Sequence, residues 1–156
     1  GTILREVIQA AQMLKEDYGV TSDIWSVTSF NELRKDGLSV ERYNLMHPQK
    51  TPKTSFVASQ LKGKQGPVIA ATDYMRLYAD QIRPYVPGRF VTLGTDGYGR
   101  SDTRQRLRHF FEVDAKFIVL AALNALVAEG SLDKSKVVDA MQRYSINPDK
   151  LDPVTY

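Results

Sequence analysis

The stretch from Phe90 to Asp114 constrains the fold of this chain more than any other. It begins with a short apolar run, Phe90–Leu93, passes through a loop with three glycines and continues into a basic segment with helical spacing. The order strand, glycine loop, helix is typical of α/β proteins, in which ligands or partners contact the loops that follow the strands. We therefore expect an α/β domain with its functional surface at this loop.

Length and composition fit a single domain over residues 1–156, large enough to bury a sizeable core. The charged fraction of 25% is ordinary, and a net charge of +3 is too small to indicate a nucleic-acid partner. The chain has no cysteine, which excludes disulfides and thiolate-bound zinc. No apolar run approaches the roughly 18 residues that a membrane span needs, so we expect a cytoplasmic protein without membrane contact.

Strand patterns alternate with helix patterns along the chain, which predicts a three-layer α/β/α domain with a mostly parallel sheet. The predicted strands are Asp23–Thr28, Pro67–Thr72 and Arg89–Leu93. Four helices are predicted in the first part of the chain: Ile3 to Tyr18, Phe30 to Lys35 (ending at Gly37), Val40 to Leu45 and Ser55 to Leu61. Three follow in the second part: from a cap at Thr72 or Asp73 to Ile82, from a cap at Asp102 or Thr103 to Phe111, and from Val113 to Ala128. A last helix is predicted to begin at a cap at Asp133, with Val137, Val138 and Met141 facing inward.

The helix expected from Val113 to Ala128 is apolar on nearly every side, so it should be buried or lie at an interface. Each large side chain that it buries contributes about 1.5–3 kcal/mol. This helix should therefore dominate the stability of the core.

The glycine loop, Gly94 to Gly99, allows two interpretations. Glycines let backbone amides approach an anion, and the start of the following helix favours negative charge. The spacing G-x-x-G-x-G, however, matches neither the dinucleotide fingerprint nor a Walker loop, and Asp96 and Asp102 would repel a phosphate. The loop is either a stand-alone anion-binding site or a structural element whose glycines adopt backbone conformations that other residues disfavour.

The basic segment after the loop also has two interpretations. Its arginine forks suit a partner surface lined with carboxylates. Alternatively, they form a solvated face that pairs locally with Glu112 and Asp114. Nucleic acid is disfavoured because no aromatic side chains interleave the charges. The arginines are Arg100, Arg104, Arg106 and Arg108. If the helix begins early enough, Arg100, Arg104 and Arg108 would share one helical face.

The two histidines, His47 and His109, lie far apart and have no partner at metal-ligand spacing. His47 precedes a proline and is expected to form loop hydrogen bonds, whereas His109 should pack or cap. No serine lies in a G-x-S-x-G motif, and no pair of carboxylates has a spacing that forces acid–base chemistry. We predict no catalytic, cofactor-binding or metal-binding residue in this chain.

Four segments, taken together, carry a family resemblance. They are DIWSVTSFNELRKDG (Asp23–Gly37), ERYNLMHP (Glu41–Pro48), ATDYMRLYADQIRPYVP (Ala71–Pro87) and LGTDGYGRSDTRQRLRHFFEVDA (Leu93–Ala115). The chain resembles the C-terminal domain of the homodimeric pyruvate dehydrogenase decarboxylating component, a thiamine-diphosphate-dependent family of the transketolase superfamily. The resemblance covers nearly the whole chain. One departure is Tyr43, where the family usually has tryptophan; an aromatic side chain is kept.

The resemblance implies a transketolase C-terminal-like fold with a mixed, mostly parallel five-stranded sheet. In that family two strands come before the helix that begins this chain, so we expect the first strands to be missing. A vacant position in the sheet would leave peptide groups unpaired at a cost of several kcal/mol. We expect another polypeptide to fill that position, or the sheet to close differently.

The resemblance also implies a function for the complete enzyme: it oxidatively decarboxylates pyruvate and passes the acetyl group to the lipoyl groups of the dihydrolipoyl acetyltransferase core. Thiamine diphosphate and magnesium belong to domains absent here, so this chain should bind no cofactor and be inactive alone. Its expected partners are the N-terminal and middle domains, the second subunit of a homodimer and the acetyltransferase core. The expected interface residues are Asp96, Gly97, Gly99, Arg100, Ser101, Asp102, Arg104 and His47.

Overall fold

A computed structural model describes residues 1–156 as a mixed α/β structure. The helices are α1 (Ile3–Tyr18), α2 (Phe30–Met46), α3 (Phe56–Gln60), α4 (Arg76–Asp80), α5 (Arg104–Phe110), α6 (Ala115–Ala128) and α7 (Ser135–Arg143), and the strands are β1 (Val68–Ala71) and β2 (Phe90–Leu93). A short 3₁₀ turn, Arg83–Tyr85, lies between α4 and β2. No helix is both long and apolar enough to cross a membrane.

The two strands form a parallel pair in which Val68 lies opposite Phe90 and Ala71 lies opposite Leu93. This confirms two of the three predicted strands. Side chains alternate between the two faces of the strand pair, and helices cover both faces. Ile69 and Leu93 pack into a cluster with α1, α6 and α7, whereas Val68 and Phe90 pack into a second cluster with side chains from α2, α3 and the 3₁₀ turn.

The predicted strand at Asp23–Thr28 is wrong as a member of this sheet. None of its peptide groups takes part in a backbone hydrogen bond, and all six residues are exposed. The apolar and β-branched composition is present, but a strand also needs a neighbour to pair with. The segment is fixed at one end, where Asp23 forms a 2.7 Å ion pair with Lys64 in the loop before β1.

Helix α6 lies at the centre of the larger cluster, as its all-round apolar pattern predicts. Its residues Val119 and Leu123 are fully buried, as is Val113 in the turn just before it. The Asp114 side chain accepts from the Phe117 N–H at 3.1 Å and thereby caps the helix. The helix begins two residues later than predicted because Asp114 is the cap rather than a helical residue.

Residues Phe30–Met46 form one helix rather than the two that were predicted. Ser29 caps it, because its hydroxyl accepts from the Glu32 N–H at 3.2 Å. Gly37 does not end the helix; it is buried, and a Cβ there would lie 2.3 Å from the Tyr85 ring. The glycine therefore allows a close approach between α2 and the 3₁₀ turn.

The start of α4 and the buried face of α7 also differ from the prediction. Helix α4 begins only at Arg76, because the Thr72 hydroxyl accepts from the Tyr74 N–H at 3.2 Å in a turn that precedes the helix. In α7, Val138 is 51% exposed rather than inward, and Ala140 is the fully buried residue. Of the two caps considered for α5, Thr103 is the one observed, and Ser55, predicted as the first residue of α3, is its cap.

Candidate functional site

The first residues of the glycine loop are fixed by the turn that precedes α4. The Thr95 N–H donates to the Tyr74 carbonyl at 2.9 Å, and the Thr95 hydroxyl donates to the Asp73 carbonyl at 2.8 Å. Gly94 is buried so closely that a Cβ would lie 2.6 Å from the Arg76 nitrogen. This glycine therefore serves the packing of two backbone segments.

Asp96 supplies an internal anion to the loop. Its Oδ2 accepts from the Arg76 N–H at the start of α4 at 3.2 Å and lies 3.3 Å from Arg76 Nε. The second contact is an ion pair without hydrogen-bond geometry, because the buried Nε has no acceptor in line. A carboxylate already occupies the positive end of α4, so the loop is unsuited to cradle a phosphate.

Gly97 marks the contact between the loop and the C-terminal tail. Its φ of 112° lies in the region that favours glycine, and a Cβ would lie 2.0 Å from the Pro153 carbonyl oxygen. Gly99, in contrast, has nothing within 4 Å of a Cβ and an ordinary φ. Only the first of these two glycines is required by the geometry.

A run of ten exposed residues follows, from Gly97 to Arg106. Within it, Arg100 contacts the tail through Tyr156, and Asp102 accepts from the Thr103 N–H at 2.7 Å. Arg106 approaches Asp102 only at 3.8 Å and is 78% exposed. Ser101 and Arg104 are also exposed, and Arg104 has no ion-pair partner. The loop and the start of α5 therefore form an open, positively charged surface.

Arg108 does not belong to that surface, contrary to the helical-face prediction. It forms a 2.8 Å ion pair with Glu6 of α1, and the two side chains are only 22% and 16% exposed. The other carboxylate oxygen of Glu6 accepts from the Ala115 N–H at 3.0 Å. Glu6 thus joins α1 to the end of α5 and the start of α6. Arg100 lies outside the helix altogether, since α5 begins at Arg104.

The two histidines have the structural environments that were predicted. His109 Nδ1 lies 3.0 Å from the Asp114 carboxylate, and its ring packs against Phe117. His47 stacks on Tyr43 at 4.3 Å between ring centroids, and its Nδ1 lies 2.9 Å from the Tyr43 carbonyl oxygen. These contacts place His47 at the end of α2.

Residues of the tail take part in this surface, although the sequence analysis did not include them. Lys150 is 16% exposed and donates to the Phe110 carbonyl at 3.0 Å and to Glu112 at 2.8 Å. Glu112 has a φ of 61° in the turn that closes α5, where the Val113 N–H reaches back to the Arg108 carbonyl. No local sequence pattern shows where this tail lies.

A second polar network joins α1 to α7 on another part of the molecule. The Tyr18 hydroxyl donates to Asp139 at 2.7 Å, and the Tyr144 hydroxyl donates to Asp17 at 2.6 Å. Burial, and then the hydrogen bond to Asp139, raise the pKa of Tyr18 to about 12. The same hydrogen bond lowers the pKa of Asp139. Burial and Asp17 also raise the pKa of Tyr144. These contacts hold two helices together and carry no reactive group.

Two open clefts lie beside the loop and the tail. One, of about 230 Å³, lies beside Arg100 and Phe110. The other, of about 460 Å³, lies between Arg76, Lys150 and Val154. No three acidic or histidine side chains come together in the arrangement that a metal ion needs.

Comparison with known proteins identifies the domain. The sequence model of the transketolase-like TK C-terminal domain matches residues 1–114. The chain belongs to this family. The match ends at Asp114, the cap of α6, and α6, α7 and the tail lie beyond it.

Curated relatives extend the similarity along the whole chain. The chain is 57% identical to the pyruvate dehydrogenase E1 component of Cupriavidus necator over 99% of its own length and 17% of the relative. The corresponding protein of Pseudomonas aeruginosa is 56% identical over 99% of the chain and 18% of the relative. The corresponding protein of Escherichia coli K12 is 50% identical over 98% of the chain and 17% of the relative. This transketolase-like chain spans less than a fifth of the relatives that it matches.

Proposed function

We propose that this chain is the C-terminal assembly domain of a pyruvate dehydrogenase E1 component. The observation that carries the proposal is the 57% identity across 99% of the chain to a region that makes up 17% of the relative. The complete protein would oxidatively decarboxylate pyruvate in the cytoplasm and pass the acetyl group to the lipoyl groups of an acetyltransferase core. The chain itself would contribute contacts rather than chemistry.

The residues of this chain do not fit thiamine diphosphate or its magnesium ion. In the glycine loop, the candidate segment for an anion, Asp96 already accepts from the Arg76 N–H at the start of α4 and lies beside its guanidinium group. No three acidic or histidine side chains come together, so the side chains of this chain form no metal site by themselves. We infer that the N-terminal and middle domains of the complete protein hold both groups.

The exposed apolar surface supports an assembly role. Ile24, Trp25 and Val27 are 41–46% exposed on the unpaired extended segment, and Tyr74 and Leu77 next to the glycine loop are 64% and 66% exposed. Scattered exposed apolar residues are normal, whereas a contiguous apolar patch marks a protein-contact site. These two groups would pack against the other domains and the second subunit of a homodimer.

The free edge of β1 supports a larger sheet. The Val68 N–H donates to the Arg89 carbonyl and the Thr72 N–H to the Leu93 carbonyl, so the peptide groups of alternate residues face β2. Those of Ile69 and Ala71 therefore point to the opposite edge, where no strand pairs with them. We infer that a strand from another part of the complete protein pairs here, giving the three-layer α/β/α domain with a mostly parallel sheet.

A domain exchange tests the proposal. The region of the Cupriavidus necator relative that aligns with this chain is replaced by residues 1–156, and pyruvate decarboxylation and subunit association are measured. We expect a dimer with activity close to that of the parent relative. A correctly folded exchange protein that is monomeric and inactive would reject the proposal.

Calorimetry separates the assembly role from a stand-alone anion-binding module. We expect no heat of binding when thiamine diphosphate, a nucleotide or phosphate is titrated into this chain. Tight binding that an Asp96→Ala change strengthens and a Gly97→Ala change abolishes would instead support the anion-binding loop.

A further inference from the structure

The segment of residues 65–111 differs in composition from the rest of the chain. It contains no lysine and no glutamate, although ten lysines and six glutamates occur elsewhere. Seven of the eleven arginines and four of the eight tyrosines lie within it. Protein interfaces show the same bias, since they are enriched in tyrosine, methionine and arginine and depleted in lysine and glutamate. The exposed surface of this segment therefore has the composition of a contact with another protein.

Four large side chains of this segment are exposed together just after β1. They are Tyr74, Met75, Leu77 and Tyr78, which are 64%, 48%, 66% and 41% exposed. The rings of Tyr74 and Tyr78 lie 5.3 Å apart, at an angle of 44°. We call these four side chains the α4 patch. Because they belong to five consecutive residues and two of their rings are in contact, they form one apolar surface rather than scattered exposed residues.

The backbone beneath the α4 patch is fixed by hydrogen bonds on both sides. The Tyr74 N–H donates to the Thr72 hydroxyl at 3.2 Å, and the Tyr74 carbonyl accepts from the Thr95 N–H at 2.9 Å. The Arg76 N–H donates to Asp96 at 3.2 Å. A partner that covers the patch would therefore order side chains only, and the entropic cost of binding would be small.

The charge beside the α4 patch is positive. The hydrogen bond between Thr95 and Tyr74 brings the glycine loop next to the patch, and the exposed run from Gly97 to Arg106 follows. This run has three arginines and one aspartate, a net charge of +2, whereas the whole chain has a net charge of +3. A surface with carboxylates around an apolar centre would complement both the patch and the arginines.

We propose that the α4 patch forms the centre of an interface with another domain of the complete protein, whose facing surface presents apolar side chains ringed by carboxylates. Tyr74 and Tyr78 contribute most to this contact, because aromatic side chains at the centre of an interface dominate its binding energy. The inference rests on the assembly role proposed above and deepens it, since it names the side chains that bind and the chemistry of the surface that they meet.

Methionine oxidation in a complete protein tests whether the α4 patch is covered. The exchange protein described above, which carries residues 1–156 in place of the aligned region of the Cupriavidus necator relative, is treated with hydrogen peroxide. Sulfoxide formation at Met75 is followed by mass spectrometry. We expect Met75 to react on the order of tenfold more slowly than in urea, since a covered thioether is shielded from the oxidant. The 48% exposure of Met75 in this chain would slow the reaction only roughly twofold.

Matched variants show whether the two tyrosines hold the partner. Changing Tyr74 and Tyr78 together to alanine should return the oxidation rate of Met75 to within about twofold of its value in urea, because the centre of the contact is lost. Phe56→Ala removes an aromatic side chain that is 55% exposed and lies outside the segment, so it should leave Met75 protected. An equal effect of the two changes would overturn the proposal.

A charge reversal tests the carboxylates of the partner. Arg104→Glu should speed the oxidation of Met75 several-fold, because it places a negative charge against them. Lys134→Glu makes the same charge change at an exposed position before α7 and should leave the rate unchanged. Equal rates in the two variants would overturn the proposed partner chemistry.

The oligomeric state of the exchange protein separates this inference from the assembly role. A dimeric and active exchange protein in which Met75 reacts as a half-exposed residue would overturn the inference and leave the assembly role intact. A monomeric and inactive exchange protein would reject the assembly role and the inference with it. Self-association of the chain alone with protection of Met75 would identify a second copy of this chain as the occupant, which would also overturn the inference.

Discussion

Replacing Glu6 by alanine tests the ion pair that joins α1 to the helices after the glycine loop. The change removes the 2.8 Å contact to Arg108 and the 3.0 Å hydrogen bond from the Ala115 N–H. A lost cap of this kind costs about 0.5–2 kcal/mol, and a lost hydrogen bond to a charged group costs about 1.5–3 kcal/mol. Because Arg108 can partly rehydrate, we expect a total near 3 kcal/mol.

Urea unfolding followed by circular dichroism measures this loss. At this chain length about 3 kcal/mol corresponds to a decrease in Tm of roughly 6–12 °C. The control is Glu16→Ala, which makes the same charge change on an exposed part of the same helix, where Glu16 contacts only Gln12. That change should alter the free energy of unfolding by less than about 0.5 kcal/mol.

A double-mutant cycle isolates the ion pair from the cap. Glu6→Ala and Arg108→Ala should be coupled by about 1–2 kcal/mol, because the two side chains are in contact and mostly buried. If Glu6→Ala costs no more than Glu16→Ala, or if the cycle shows no coupling, the half-buried pair does not stabilise this corner and our reasoning fails.

Three further changes test separate contacts. Gly37→Ala should destabilise the chain by about 1–3 kcal/mol in urea unfolding, because its Cβ would meet the Tyr85 ring. Burial and the hydrogen bond to Asp139 raise the pKa of Tyr18 to about 12, above the ordinary 10. The neutral hydroxyl therefore stabilises the fold below about pH 10, and this stability is lost as the pH rises toward 12. Tyr18→Phe should remove that part of the alkaline unfolding profile. Gly97→Ala should release the tail and speed hydrogen exchange in its last residues several-fold, because a Cβ has no room there.

Each of these changes has a control within the chain. Ser39→Ala, at an exposed position of the same helix as Gly37, should be neutral or slightly stabilising. Tyr78→Phe removes the hydroxyl of a tyrosine that is 41% exposed and should change the free energy of unfolding by less than about 0.5 kcal/mol. Gly99→Ala adds a Cβ in open space and should leave the tail protected. A control that matches its test variant would remove the physical reason given for that variant.

Local signals predicted most of the helices and one of their caps. Thr103 caps α5 as expected, whereas Ser55 and Asp114 are caps that the sequence analysis had placed inside helices. The central position of α6 also followed from its sequence, because a helix that is apolar all round must be buried.

Features that depend on distant residues were not predictable. Gly37 has the sequence signature of a helix stop, and only the Tyr85 ring packed against it shows why a glycine is needed inside the helix. Asp23–Thr28 has strand composition, but pairing depends on whether a neighbouring strand is present. Arg108 has the spacing of an exposed face, yet Glu6, about a hundred positions earlier, draws it inward.

The sequence analysis placed its interface candidates at the glycine loop, and this assignment stays a prediction. Within the loop, Asp96 accepts from the Arg76 N–H and Gly97 lies against the Pro153 carbonyl, contacts that its pattern did not indicate. The partners of Arg100 and Gly97 come from the tail, more than fifty positions away. No periodicity or motif reports such a contact, so the tail enters only with the structure.

Sedimentation velocity tests the assembly role most directly. The chain is mixed with a version of the Cupriavidus necator relative that lacks the aligned region, and the sedimentation boundaries are followed by separate fluorescent labels. Our account predicts that the two labels move together as one complex, and that the exposed segment around Trp25 becomes protected from hydrogen exchange. Two boundaries that move independently at micromolar concentration would contradict it.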